Sequence, residues 1–316
     1  MTASTFHVER TTGFRYPSLT TTVPKELVHR ASIAEVVLTD WRREDDTRFS
    51  LTAQWPRSHS FFTAVEDGRH DPLIVAETVR QSGTLLAHAE FGVPLGNHFL
   101  VHDLDVAVRP EHLEIGHSPA SVDIELTCTR IRLQRGVVAG LQIETVIRRD
   151  GNVVATGGGS MSCVTPRTYA RIRASRPLSD AGGPPPLIAP AAPQSVGRMS
   201  PTDVVLSPTG EHHTWQLRVD TRHPVLFDHP VDHVPGMLLL EATRQAAAGV
   251  LGRSSLMPLS ISGRFDRYVE LHSPCTVAAH RVPQQDRTGT EAILVTGHQD
   301  GRLAFTGTVT ALPRAL

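Results

Sequence analysis

The sequence predicts an α+β fold assembled as a pseudo-dimer on one chain: two tandem copies of a module in which an antiparallel sheet wraps a central helix. The first observation behind this is a repeat. His59, Glu77, Arg80 and Gln81 recur as His223, Glu241, Arg244 and Gln245 at a constant offset of 164 positions. Asp150-Gly151 and Thr156-Gly157 recur as Asp300-Gly301 and Thr306-Gly307 at an offset of 150. Two copies are too few for a solenoid. The second observation is one long helical run per half, apolar nearly all round, which has to be buried. The third is a set of short alternating apolar runs in each half, the last two joined by Asp-Gly, a hairpin dipeptide.

The elements follow in order. The first helix runs from about Leu73 to Glu90 behind Pro72, and the second from about Met237 to Leu251 behind Pro235-Gly236; proline fits the first helical turn because its missing N–H has no acceptor there. Strands are predicted at Val122 to Thr129, Val137 to Ile147 and Val153 to Val164, then at Trp215 to Val219, Thr276 to His280, Ala292 to His298 and Leu303 to Leu312. Gly157-Gly158-Gly159 lies in a late strand with no lysine or helix after it, so it reads as a bulge and not a phosphate loop. Between Arg176 and Ser195 six prolines and Gly182-Gly183 erase both periodicities, which predicts a semi-stiff linker. The expected organisation is residues 1–175 as the first module with an N-terminal extension, 176–195 as the linker and 196–316 as the second module. A curled sheet around one central helix is the hotdog architecture, so the whole reads as a double hotdog.

Composition narrows the function classes. A net charge of −1 and a pI near 7.0 give no global field for nucleic acid. Neither a signal-type apolar core nor an apolar run of about 18 residues occurs, so neither export nor membrane insertion is expected. Cys128, Cys163 and Cys275 are odd in number and lack metal-type spacing, which suits reduced packing thiols in the cytoplasm.

The polar residues of the first helix, Glu77, Arg80, Gln81 and Thr84, share one face, and the second helix repeats three of them. A buried carboxylate costs several kcal/mol unless paired. The stripe is therefore either an internal Glu–Arg salt bridge that seams the helices, or the lining of a cleft that holds reacting groups. The segment before the second helix adds weight to a cleft, since Asp228, His229, Asp232 and His233 crowd just upstream of Gly236 and Glu241. This segment resembles that of bacterial 3-hydroxyacyl-carrier-protein dehydratases, where a histidine precedes the helix acid by about 14 residues. Here Phe227 and Thr63 occupy that register, leaving His229, His233 or His70 as substitutes.

With both halves in view, the chain resembles the A-factor biosynthesis hotdog family, the actinobacterial γ-butyrolactone autoregulator synthases. The resemblance is carried by Lys25-Glu26-Leu27-Val28-His29-Arg30, by the stretches from His70 to Gln81 and from Asp232 to Gln245, and by Thr296-Gly297-His298-Gln299-Asp300-Gly301. It implies transfer of a β-ketoacyl group from acyl carrier protein, or a coenzyme A thioester, to the hydroxyl of dihydroxyacetone phosphate. The resulting ester closes to a phosphorylated butenolide. The expected catalytic residues are Glu241, Glu77, His229 and His233, with a raised carboxyl pKa suiting a general base. Arg244, Gln245, Arg80, Gln81, His70 and Gly236 are the expected substrate contacts, arginine for its bidentate grip on phosphate and Gly236 for backbone N–H groups at a helix start. One cleft, built around Glu241 and Arg244, is expected to dominate. The resemblance requires no metal or redox cofactor and is compatible with a homodimer of double hotdogs. A thioesterase or dehydratase without the phosphate acceptor, and a non-catalytic acyl or butyrolactone sensor, are the rival readings.

Overall fold

The computed structural model describes residues 20–174, 186–283 and 289–313. The first copy contributes β1 (Leu38–Arg43), β2 (Arg48–Trp55), α1 (Pro72–Ala89), β3 (His98–Val108), β4 (Ala120–Gln134), β5 (Val137–Arg149), β6 (Asn152–Val164) and α2 (Pro166–Ala174). The second contributes β7 (Leu206–Pro208), β8 (Thr214–Leu217), α3 (Gly236–Leu251), β9 (Pro258–Phe265), β10 (Cys275–Val282), β11 (Glu291–Gln299) and β12 (Arg302–Ala311). The strands form one antiparallel sheet in the order β1-β2-β4-β5-β6-β3-β9-β12-β11-β10-β8-β7. Exchanging each strand for its counterpart reverses that order onto itself, so the double hotdog carries a pseudo-twofold axis between β3 and β9. Leu104 lies opposite Gly263 there, and Val106 opposite Ile261.

The helices start and stop for local reasons. Asp71 caps α1, its carboxylate accepting from the Leu73 amide at 2.9 Å, and Pro72 fills the first turn. No side chain caps α3, which follows Pro235 and ends at Gly252 in the left-handed region. Every residue of α1 except Arg80 and Ala89 is buried, which is why its sequence lacks a polar face. Both Asp-Gly pairs turn with positive φ at each residue, 50° and 78° in the first copy, 52° and 71° in the second, the geometry that matches strand twist in two-residue hairpins.

Two expectations change. Gly157 to Gly159 make no bulge, since they pair in regular register with Thr145 to Ile143 of β5. Their role is close approach: a Cβ at Gly157 would lie 2.9 Å from Val79 of α1, and one at the equivalent Gly307 would lie 2.5 Å from Thr243 of α3. Of the expected linker, residues 176–185 lie outside the described residues, and Pro193–Val196 is a 3-10 turn matching Lys25–Val28 of the first copy, so those residues belong with the second module. The three cysteines are buried and free, and burial pushes their thiols up to about 11, 11 and 12, which fits packing and not nucleophilic use.

Because α3 rests directly on Gly307, Gly307→Ala is expected to destabilise the fold by about 1–3 kcal/mol through overpacking. Urea denaturation checks this, and an unmoved midpoint would contradict the close-approach role.

Candidate active site

The duplicated polar residues form two matching networks at the boundary between the copies. Glu77 accepts from Arg80 Nε at 2.9 Å and Nη2 at 2.7 Å, from Arg30 Nε at 2.9 Å and from Gln81 Nε2 at 2.6 Å. Glu241 accepts from Arg244 Nη2 and Arg198 Nε, each at 2.7 Å, and from Gln245 Nε2. Each glutamine completes its bonds on the chain ahead of its helix, Gln81 taking the Val37 amide and Gln245 the Val205 amide. The arginines from outside the helices then cross the boundary. Arg30 Nη1 donates to the Val225 carbonyl at 3.2 Å, and Arg198 Nη1 donates to the Phe61 carbonyl at 2.7 Å. Phe61 and Val225 are themselves equivalent. The repeated histidines shape these same corners, His59 Nδ1 accepting from the Phe61 and Phe62 amides and His223 Nδ1 from those of Val225 and Leu226.

These networks reverse one expectation. Burial by itself would raise the Glu241 carboxyl, but the charges of Arg198 and Arg244 outweigh it and hold the group at about 2; Arg30 and Arg80 do the same for Glu77. Neither carboxylate is poised as a base near neutral pH. The arginine that matters most to each pair, Arg30 or Arg198, lies outside the helix and carries no signal in the stripe itself.

One large cleft opens elsewhere, with a volume of about 1180 Å³, between the start of α3 and the first copy. It brings together Arg80, His229, His233 and Gly236 from the expected set, and adds His29, Arg30, Tyr169 and Arg173. Glu77, Gln81, Glu241, Arg244 and Gln245 lie behind it in the networks. His70 is also outside, against Trp55, with burial foremost and then Arg149 lowering its imidazole to about 4. No group of three or more metal-ligating side chains converges among the described residues.

The cleft's chemistry is unsymmetrical because its parts are. Arg80 side-chain exposure is 18%, against 1% for Arg244, and among the described residues Arg80 Nη1 makes no bond. Where the Asp71 side chain caps α1 by accepting from the Leu73 amide, the equivalent residue before α3 is Pro235, so no side chain caps α3 where Gly236 and Met237 line the cleft. Asp228 anchors the loop ahead of α3 to the first copy, accepting from the Ala31 and Ser32 amides at 2.5 and 3.0 Å; His229 Nδ1 lies 3.3 Å from it. His233 Nδ1 is 2.8 Å from Asp232 Oδ1. A carboxylate only accepts, so Nδ1 carries the proton and Nε2 the lone pair. Burial lowers the His233 pKa against the pull of Asp232, which favours the neutral ring. His29 has a left-handed backbone, φ 53°, where the second copy has Gly197; its Nε2 meets His88 Nε2 at 2.8 Å, and burial, then Arg80 and His88, lower its pKa to about 3.

Known proteins give these residues a context. The family model for the A-factor biosynthesis hotdog domain matches residues 14–165 and 179–314. A 2-oxo-3-(phosphooxy)propyl 3-oxoalkanoate synthase of Streptomyces virginiae is 50% identical over 287 residues, 91% of this chain and 96% of that protein. One of Streptomyces griseus is 43% identical over 290 residues, 92% and 95% of the two. Among solved structures, an acyl-ACP thioesterase from Bacteroides thetaiotaomicron superposes with a TM-score of 0.51 at 11% identity, covering 82% of this chain and 96% of that one, a likeness of fold alone.

The buried carboxylates have a pH consequence. Held near 2 in the fold and at about 4.5 when free, they contribute stability that is complete above the unfolded value and lost as pH falls through about 5 toward 2, where only the unfolded chain gains protons. Glu241→Gln leaves Arg198 and Arg244 without their counterion. It is expected to cost about 3–5 kcal/mol and to flatten the acid side of a stability-versus-pH curve. A denaturation series matching the parent at every pH would overturn this account.

Proposed function

Since the chain belongs to the A-factor biosynthesis hotdog family, we propose that it is an acyltransferase that moves a β-ketoacyl group from a thioester to the hydroxyl of dihydroxyacetone phosphate. The product is the 2-oxo-3-(phosphooxy)propyl 3-oxoalkanoate of its relatives' names, the precursor of a butenolide signal. The donor is the acyl carrier protein thioester, with the coenzyme A thioester as its small-molecule equivalent. The observation that carries the reading is the meeting, in one cleft, of the Arg80 guanidinium, His233 held by the Asp232 carboxylate, and the uncapped start of α3.

The residues divide the work. Arg80, backed by Arg30, grips the phosphate through N–H groups that Glu77 leaves open. The Gly236 and Met237 amides receive the thioester oxygen as it becomes an oxyanion, helped by the positive end of α3. His233 Nε2 takes the proton of the attacking hydroxyl as the new C–O bond forms. Collapse of the tetrahedral adduct breaks the C–S bond, and the proton returns from His233 to the departing thiolate. The imidazolium present between these steps is balanced by Asp232.

Incubating the protein with a β-ketoacyl thioester, with and without dihydroxyacetone phosphate, and weighing the products by mass spectrometry tests the activity. Ester formed only with the acceptor is expected, whereas free acid regardless of acceptor would establish the thioesterase rival. Arg80→Lys keeps charge but loses the planar fork, and is expected to raise the Michaelis constant for dihydroxyacetone phosphate about tenfold. Arg244→Lys is expected to lower the melting temperature and leave that constant unchanged. The reverse pattern would move the phosphate site to the second network.

A further inference from the structure

We propose that α2 is a positioning element for the active cleft, with Arg173 and Tyr169 fixing the Asp232–His233 pair in place and in charge; the proposal rests on His233 being the base. Nothing in the repeated pattern includes α2, and among the described residues no helix follows β12. This nine-residue helix has no buried residue, so apolar burial does little to hold it. Its attachments are polar and meet at one place. Tyr169 Oη donates to Asp232 Oδ1 at 2.6 Å, and Arg173 Nε to Asp232 Oδ2 at 2.9 Å. Arg173 Nη2 also reaches the Asp232 carbonyl at 3.1 Å, and its two terminal nitrogens grip Glu270 Oε1 and Oε2, each at 2.7 Å. The guanidinium lies 4.4 Å over the Tyr268 ring, which contacts the His233 ring edge-on at 4.7 Å. On its other side, Tyr169 stacks on His98 at 3.8 Å.

Both oxygens of Asp232 are thus occupied by α2, which leaves its carboxylate one orientation in which to hold His233 Nδ1–H. The charge around His233 is set by the same contacts. Among the described residues the charged and titratable groups gathered there are Asp232 on its own loop, Arg173 and Tyr169 on α2, Glu270 and Tyr268 on the segment after β9, and His98 behind Tyr169. Two carboxylates face one guanidinium. With Arg173 gone, both carboxylates pull a proton onto the imidazole, and a base already protonated near neutral pH cannot accept the hydroxyl proton.

The test is the pH dependence of kcat/KM for the acyl donor in the full-length protein and its Arg173→Met, Arg173→Lys, Tyr169→Phe and His233→Ala variants. Arg173→Met is expected to shift the acid limb upward by about one pH unit, so that the loss approaches about tenfold only on the acid side of both midpoints and disappears by about pH 9. Arg173→Lys restores most of the parent profile. Tyr169→Phe, which removes a donor and no charge, is expected to lower kcat several-fold with KM unchanged, and it carries the test if Arg173→Met does not fold. An equal loss at every pH in Arg173→Met, or parent kcat in Tyr169→Phe, overturns the positioning role. Parent turnover in His233→Ala overturns instead the assignment of the base on which it rests.

Discussion

A carboxylate in the middle of a helix that is buried on every side must be neutralised where it stands, and in this protein the neutralising charge crosses between two modules. Glu77 and Glu241 each sit between one arginine of their own helix and one from the turn that opens their module. That second arginine also donates one terminal nitrogen to a backbone carbonyl of the opposite copy. Completing either core therefore also fixes the partner core against it. A buried ion pair is weak evidence for net stability but strong evidence for a specified geometry, because breaking it strands a charge. The sheet, continuous through β3 and β9, joins the same two copies along a second line.

Against this symmetric frame the cleft is defined by departures. The helix start at Asp71 carries a side-chain cap, while the one behind Pro235 does not. Arg244 is sealed in its network, whereas Arg80 reaches the cleft wall. His29 accepts a left-handed backbone that its counterpart meets with glycine, and strain of this kind collects where a side chain is wanted for more than packing. The cleft lies where the two copies differ.

This explains what the sequence could and could not disclose. The repeat, the Asp-Gly hairpins and the all-round apolar helices made the double hotdog legible, because periodicity and turn chemistry are local. The repeated polar stripe was legible too, yet repetition marks what both copies need, namely the seam. Burial considered alone suggested raised carboxyl pKa values; the arginine that reverses the sign for Glu241 is 43 residues away in sequence, beyond any local pattern. His229, His233 and Gly236 stood out through the density of polar residues ahead of the helix. Helix α2 is short, polar and without an apolar period, and the meaning of Tyr169 and Arg173 lies wholly in contacts 59 to 97 residues distant.

The covalent tandem has an evolutionary consequence. In a dimer of identical chains every substitution arrives twice, so a change that improves a catalytic pocket must also be tolerated at the mirrored position, where it can do harm. Joined in one gene, the two halves mutate independently while the reciprocal arginine contacts keep them registered. One half is then free to lose a pocket and become a scaffold, and a loop such as the one from Asp228 to Gly236 can be rewritten without disturbing its opposite number.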